Sequence, residues 1–178
     1  MTQVLGIVKE GKLIPEDLWV KFVSGIENDF DNLETNNERA KREVAQAIAN
    51  AVKKRIIQKF GILFSGGVDS SLIAFVCKQL KCNFTCYSVG IENSDDIIWA
   101  QKVAKEYGFN LRHKILSLEE LENVVKSVVK LLNDADIVKA SVGSVLYAGG
   151  KLALSDGNSV LFGGLGSEEI FAGYQRHE

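Results

Sequence analysis

Apolar residues along this chain follow two rhythms that take turns. From residue 35 the rhythm is helical: Val44, Ala47, Ile48, Ala51, Val52 and Ile56 recur every three or four positions, which is the period of one helix face. Thr35 and Glu38 have the spacing of a capping box, in which each side chain satisfies a backbone N–H of the first turn. Lys53, Lys54, Arg55 and Lys59 crowd the other end, where the helix dipole favours cations, and they read as a solvated helix end. Phe60–Phe64 is then a continuous apolar run ending in a glycine loop, and a helix follows from Ser70 to Leu80. The alternation continues with a strand over Asn83–Val89, a helix over Asp95–Tyr107 and a strand over Phe109–Leu116. Ser117 and Glu120 repeat the capping box and open a helix to about Leu132. A further helix runs from about Ser141 to Leu154, and a short apolar strand, Ser159–Phe162, leads into a second glycine-rich turn.

Strands alternating with helices predict an α/β fold, a doubly wound parallel sheet of about five strands covered by helices on both faces. Its crossovers are right-handed. Ligands in such a fold bind outside the C-terminal ends of the strands, and both glycine-rich loops fall there. Residues 1–34 read as a small N-terminal segment. In it, Val4–Val8 is a short strand, Lys9–Lys12 its turn, and Asn28–Asn32 a polar connection. Residues 35–178 form the main domain. Pro15 is the only proline, so nearly every segment is free to be regular structure.

Composition narrows the class. With 178 residues, 46% hydrophobic and 25% charged, the chain has the balance of a soluble globular domain with a real core. A net charge of −2 gives no broad surface for nucleic acid or membrane. No uninterrupted apolar run approaches the ~20 residues of a membrane span, and the N-terminus lacks a secretory pattern, so the expected location is cytoplasmic. Cys77, Cys82 and Cys86 are close together, but no second cluster of ligands completes a zinc pattern. They read as small buried hydrophobes in a reducing compartment.

The chemistry concentrates in Ser65-Gly66-Gly67-Val68-Asp69-Ser70. The two glycines let backbone N–H groups approach an anion with no Cβ in the way. The following helix start adds unpaired donors and a favourable dipole, and the serines add hydroxyl donors. These are the parts of a phosphate cradle. No lysine follows the glycines and no GxGxxG is present, so neither common nucleotide fingerprint applies. Asp69 beside such a cradle is either a helix cap or a ligand for a Mg²⁺ that cancels its repulsion from phosphate. Lys139 could reach a phosphate or be a surface residue. His113 reads as a core or surface residue and Trp99 as core.

Ser-Gly-Gly-X-Asp-Ser after a hydrophobic strand resembles the pyrophosphate-binding loop of the N-type ATP pyrophosphatases, which include asparagine synthetase, β-lactam synthetase, GMP synthetase and NAD synthetase. Within that group the chain is most similar to the synthetase domain of asparagine synthetases. Tyr87–Asp96 resembles the stretch after their second strand, Lys139–Gly143 a segment preceded there, as here by Asp134 and Asp136, by acidic residues. Gly163–Tyr174 resembles their loop Ser-Gly-Glu-Gly-Ala/Ser-Asp-Glu-Leu-Phe-Gly-Gly-Tyr. The resemblance covers about residues 40–178. It implies a Rossmann-like fold of the adenine nucleotide alpha-hydrolase type and a ligase that adenylylates a small carboxylate with ATP. ATP would be held by Leu63, Phe64, Ser65, Gly66, Gly67, Asp69, Ser70, Val89, Gly163 and Gly164, with adenine against Leu63, Phe64 and Val89. Asp69 and Glu168 would hold Mg²⁺ and carry the catalysis.

Three residues depart from the family loop. Gly163 replaces its serine, Leu165 its first glutamate, and Glu168 its metal-binding aspartate. Glutamate can still ligate Mg²⁺, but leucine can neither transfer a proton nor bind an amine. Glu169 either helps at the metal or opens the last helix. Position 2 is Thr2, not the cysteine of the family's glutaminase half. Nitrogen is then expected from free ammonia, a substrate amine or a separate glutaminase subunit, and homo-oligomerisation stays open. The match ends at Glu178, ahead of a family lysine that contacts pyrophosphate, so a piece of a longer protein is expected. The rival readings are a tRNA-sulfurating pyrophosphatase, which needs paired catalytic cysteines and a basic RNA surface, and a non-catalytic ATP-binding subunit.

Overall fold

A computed structural model describes residues 8–9, 12–29 and 33–171. The chain divides into two compact units, Met1–Ile48 and Ala49–Glu178. In the first, β1 (Val8–Lys9) pairs antiparallel with β2 (Lys12–Leu13), Val8 opposite Leu13 and Lys9 opposite Lys12. Lys9 and Lys12 therefore belong to the hairpin strands and not to the turn; the expected strand residues Val4–Ile7 lie outside the described residues. Helix α1 (Glu16–Asp29) follows and was not expected from the sequence. Pro15 precedes it and accepts hydrogen bonds from the Leu18 and Trp19 N–H groups. Glu16 and Asp17 lie in the first turn, where acidic residues suit the dipole. Asn28 and Asp29, expected in the polar connection, belong to this helix, and the rest of that stretch, residues 30–32, lies outside the described residues.

Helix α2 (Asn37–Lys53) runs across the division between the units. Its cap is Asn36 instead of Thr35: the Asn36 Oδ1 accepts from the Arg39 N–H at 3.0 Å. Asn is at least as good a cap as Thr, and the two are adjacent, so the start shifts by one residue.

The second unit contains β3 (Phe60–Leu63), α3 (Val68–Gln79), β4 (Phe84–Gly90), α4 (Asp95–Tyr107), β5 (Leu111–Ile115), α5 (Leu118–Leu132), α6 (Ile137–Ser155), β6 (Leu161–Phe162) and α7 (Ser167–Phe171). Among the described residues the sheet has four strands in the order β5-β4-β3-β6, all parallel. The expected count was about five, and the N-terminal hairpin makes a separate sheet.

Alternation within β3 sends its side chains to opposite faces. Phe60, Ile62 and Phe64 are buried on one face, with Phe60 stacked on Phe162 at 4.6 Å and Phe64 edge-on to Phe109 at 5.8 Å. Leu63 lies on the other face against α6: a Cβ on Gly149 would sit 2.5 Å from Leu63 Cδ2. Val89, Leu116 and Ala148 form a buried cluster there, with Leu121, Val124 and Leu152 packed on it. Layers on both faces make the sheet doubly wound.

Helix α5 opens with the expected capping box, Ser117 with Glu120. Helix α6 begins at Ile137, four residues before the expected Ser141, because Asp136 caps it through the Lys139 N–H at 2.9 Å. At 19 residues and a mean hydropathy of 1.2 it is long and apolar enough to cross a membrane by length and composition. In this fold it packs on β3, β4 and α5. Cys77 and Cys86 are buried, Cys82 is partly buried, and all three are free thiols. Burial pushes the Cys77 and Cys86 thiols up to about 12.

Candidate active site

Strand β3 ends at Leu63, and the chain turns sharply through Ser65, Gly66 and Gly67 into α3. Gly66 has φ +79°, and a Cβ there would lie 2.5 Å from the Trp99 carbonyl carbon. Glycine is thus needed on two counts, a left-handed backbone and close packing on α4. The same contact explains Trp99: its backbone is pinned under the loop, while its side chain is half exposed beneath the Lys102 ammonium instead of lying in the core.

Gly67 is the N-cap of α3, and no side chain caps this helix. Asp69 is a first-turn residue and not the cap. The first α-helical bond is Ser71 N–H to the Gly67 carbonyl, 3.0 Å, so the N–H groups of Val68, Asp69 and Ser70 have no acceptor within the helix. The loop is braced internally. Gly67 N–H donates to Ser65 Oγ at 3.2 Å, Ser70 Oγ donates to the Gly67 carbonyl at 3.3 Å, and the two serine oxygens are 3.4 Å apart. A turn of free N–H groups beside two hydroxyls fits the oxygens of a phosphate chain.

Strand β6 delivers the second loop to the same place. A Cβ on Gly164 would sit 2.7 Å from Asp69 Cβ and 3.3 Å from the Ser70 nitrogen. The two loops therefore touch, backbone against backbone. Gly166 takes φ +95°, and Ser167 Oγ donates to the Gly164 carbonyl at 2.8 Å, which closes the turn into α7.

Between the loops lies a cleft of about 370 Å³. Leu63, Phe64, Ser65, Gly67, Asp69, Ser70, Val89, Gly163, Gly164 and Glu168 all line it. Gly66 does not; its place is against α4. Asp69 and Glu168, on different strand ends, face one cavity. Among the described residues no group of three His, Cys, Asp or Glu side chains is gathered closely enough to hold a metal alone. Two carboxylates beside an anion cradle do fit Mg²⁺, which completes its octahedron with phosphate oxygens and water.

Other cleft residues were not singled out from the sequence: Tyr87, Ser88 and Asp96 on the β4 side, and Val142, Val145 and Leu146 on α6. Strand alternation marks Tyr87 as sharing the Leu63 face, since the two are paired in register. The α6 residues carry no such signal, because only the crossover decides which helix covers the strand ends. Tyr87 is almost fully buried. Its hydroxyl accepts from Asn158 Nδ2 at 2.6 Å and donates to Asp156 Oδ2 at 3.1 Å, and burial raises its pKa above the usual phenol range. Asp156 is in turn bridged to Arg112 at 3.2 Å.

Lys139 does not reach the cleft. It pairs with Asp134 at 2.6 Å and holds that carboxyl below its ordinary pKa. His113 lies on β5, exposed, with Nε2 3.1 Å from Gln101. Cys77, Cys82 and Cys86 lie away from the cleft lining, and burial raises the pKa of all three thiols, which disfavours the thiolate. The side chain of Glu169 lies outside the described residues, as do the last family-loop positions, Ala172–Tyr174.

The fold has solved counterparts. An NH3-dependent NAD synthetase from Campylobacter jejuni superposes with a TM-score of 0.53, covering 79% of this chain and 62% of that one at 20% identity, a likeness of fold. In sequence, a Methanocaldococcus jannaschii protein provisionally named asparagine synthetase [glutamine-hydrolyzing] 1 is 44% identical over 82% of this chain and 27% of its own length. The asparagine synthetase [glutamine-hydrolyzing] of Gallus gallus is 33% identical over 97% of this chain and 34% of its own. The chain thus spans about a quarter to a third of the curated relatives it matches. The asparagine synthase family model matches residues 43–178, a range that holds both loops and every residue of the cleft. On that match and those identities, the chain belongs to the asparagine synthase family.

Proposed function

We propose that residues 35–178 form an ATP-dependent carbon–nitrogen ligase domain. In this reading a small carboxylate attacks the α-phosphorus of ATP, the bridging bond to the β-phosphate breaks, and pyrophosphate leaves. Ammonia or an amine then attacks the acyl carbon and releases AMP. Adenine would rest against Leu63, Phe64 and Val89, and the triphosphate on the N–H groups and hydroxyls between Ser65 and Ser70. Asp69 and Glu168 would hold Mg²⁺, which, when bound, offsets charge on the triphosphate and on the departing pyrophosphate. The N–H groups at the start of α3 are fixed before substrate arrives, so they meet developing charge without reorganisation. The chain's part is chiefly positioning, keeping acceptor and phosphorus in line. The ammonia source, or a separate glutaminase, and a cytoplasmic setting belong to the same reading.

The observation that carries the reading is the Gly164 contact with Asp69 and Ser70, which joins the phosphate cradle and the second acidic loop into one cleft. ATP–pyrophosphate exchange in the presence of a carboxylate panel tests it. Carboxylate-dependent exchange supports the ligase. Tight Mg·ATP binding with no exchange for any carboxylate points instead to a non-catalytic ATP-binding subunit.

A further inference from the structure

Strand β6 carries the second loop on a short ladder. Its two residues, Leu161 and Phe162, pair with Gly61 and Ile62 of β3, and the Gly61 N–H donates to the Val160 carbonyl at 2.9 Å. This is shorter than most strands. The turn that launches β6, Asp156–Gly157–Asn158, is tied down from several directions. Its backbone is wound on α6, with the Asp156 and Asn158 N–H groups both donating to the Ala153 carbonyl at 3.1 and 2.9 Å. Arg112 of β5 grips both Asp156 carboxylate oxygens at 3.2 Å. Lys59, at the entry to β3, donates to the Asp156 carbonyl at 2.8 Å. Tyr87 of β4 bonds to both Asp156 and Asn158 through one hydroxyl.

Tyr87 is the buried member of this set. Its ring lies across β3 at Gly61: a Cβ there would stand 2.7 Å from Tyr87 Cε2 and 2.4 Å from Leu161 Cδ2. The missing side chain is what lets a β4 residue reach the turn before β6. Tyr87 and Asn158 are 1% and 2% exposed, and hydrogen bonds kept from water hold geometry more firmly than the half-exposed Arg112 pair can. Tyr87 also lines the cleft. One residue thus joins the cleft to the turn from which the second loop starts.

We infer that Tyr87 is a positioning residue: its hydroxyl, through Asp156 and Asn158, sets β6 along β3 and so sets Glu168 against Asp69. This rests on the reading above, in which those two carboxylates share Mg²⁺. Gly164 already packs closely on Asp69 and Ser70, so a β6 displaced along its axis opens or crowds that contact. Mg²⁺ demands near-ideal octahedral geometry and tolerates little displacement of its ligands. Tyr87 touches neither phosphate nor metal in this account and acts only through the strand that carries Glu168.

A double-mutant cycle read by calorimetric titration with Mg·ATP tests this on the complete protein, using Tyr87→Phe, Glu168→Gln and the pair. Tyr87→Phe should weaken Mg·ATP about three- to ten-fold where Glu168 is present, and less than about two-fold in the Glu168→Gln background, which has no carboxylate left to position. ATP binding in EDTA should match the parent, because the cradle between Ser65 and Ser70 is untouched. An equal loss in both backgrounds, or the same loss in EDTA, marks a merely structural hydroxyl and overturns the inference while leaving the shared metal site standing. Parental affinity in Tyr87→Phe does the same. Parental affinity in Glu168→Gln, or no Mg·ATP binding by the parent, overturns the shared metal site and this inference with it. Should Tyr87→Phe fail to fold, the same cycle is run with Arg112→Met, whose side chain is more than half exposed, and the same outcomes decide.

Discussion

Gly164→Ala is the sharpest perturbation available, because it adds one methyl group at the point where the two loops touch. That methyl would stand 2.7 Å from Asp69 Cβ, and ordinary van der Waals contact begins near 3.4 Å. The second loop must therefore retreat by at least about 0.7 Å, since Asp69 Cβ is fixed to the backbone of α3 and cannot rotate away. The φ of Gly164 lies outside the left-handed region, so alanine meets no added backbone strain and the contact alone is tested. Overpacking in a rigid core costs about 1–3 kcal/mol, but this loop is near the surface and can yield, so the fall in stability should stay under about 1 kcal/mol. Function should suffer more. A shift of about 1 Å in a reacting geometry can cost about a hundred-fold in rate, so exchange should fall roughly 30- to 100-fold, with Mg·ATP affinity weakened as Glu168 moves from Asp69. Calorimetric titration with Mg·ATP, exchange kinetics and a thermal melt give the three readings. Gly150→Ala in α6 is the control: its Cβ would meet nothing within 4 Å, and it should raise stability by about 0.5–1 kcal/mol on helix propensity alone. Parental exchange and affinity in Gly164→Ala would show that the loop contact does not set the site.

Asp69→Asn and Glu168→Gln should each weaken Mg²⁺-dependent ATP affinity about ten-fold or more, with little change in the melt without nucleotide, because Gly67 caps α3; Mg²⁺ titrations at fixed ATP read this directly. Tyr87→Phe removes the hydroxyl between Asn158 and Asp156. It leaves the Asn158 amide short of a partner and should cost about 1–3 kcal/mol in urea unfolding. Because the folded pKa values of Cys77 and Cys86 are raised to about 12 from an ordinary value of 9.0, the unfolded chain loses these protons first as pH rises. Their contribution is thus intact below pH 9 and is lost between about pH 9 and 12, which denaturant midpoints in Cys77→Ala and Cys86→Ala backgrounds would reveal as a shallower alkaline fall.

The sequence by itself determined the order of elements in the main domain and the location of the cradle. Short apolar runs such as Phe60–Phe64, followed by glycines and then helical spacing, are local signals, and the second Ser117–Glu120 capping box was legible because its residues lie three apart. Local signals also misled. Thr35 and Asn36 both qualify as caps, and only the backbone geometry chose Asn36. Helix α1 had a readable start in Pro15, Glu16 and Asp17 and an apolar face at helical spacing in Leu18, Trp19, Phe22, Val23 and Ile26, yet none of its 14 residues is buried. What the tertiary structure alone decided is whatever depends on residues far apart in the chain. Gly66, read from the sequence as a cradle residue, is also the packing point for α4, a contact no local pattern announces because Trp99 lies thirty-odd positions away. Val142, Val145 and Leu146 became cleft residues only because the α6 crossover lays them over the strand ends. Asp69 and Glu168 share a cavity because β6 joins β3 directly and Gly164 has no Cβ, and a pattern read along the chain contains no term for that contact.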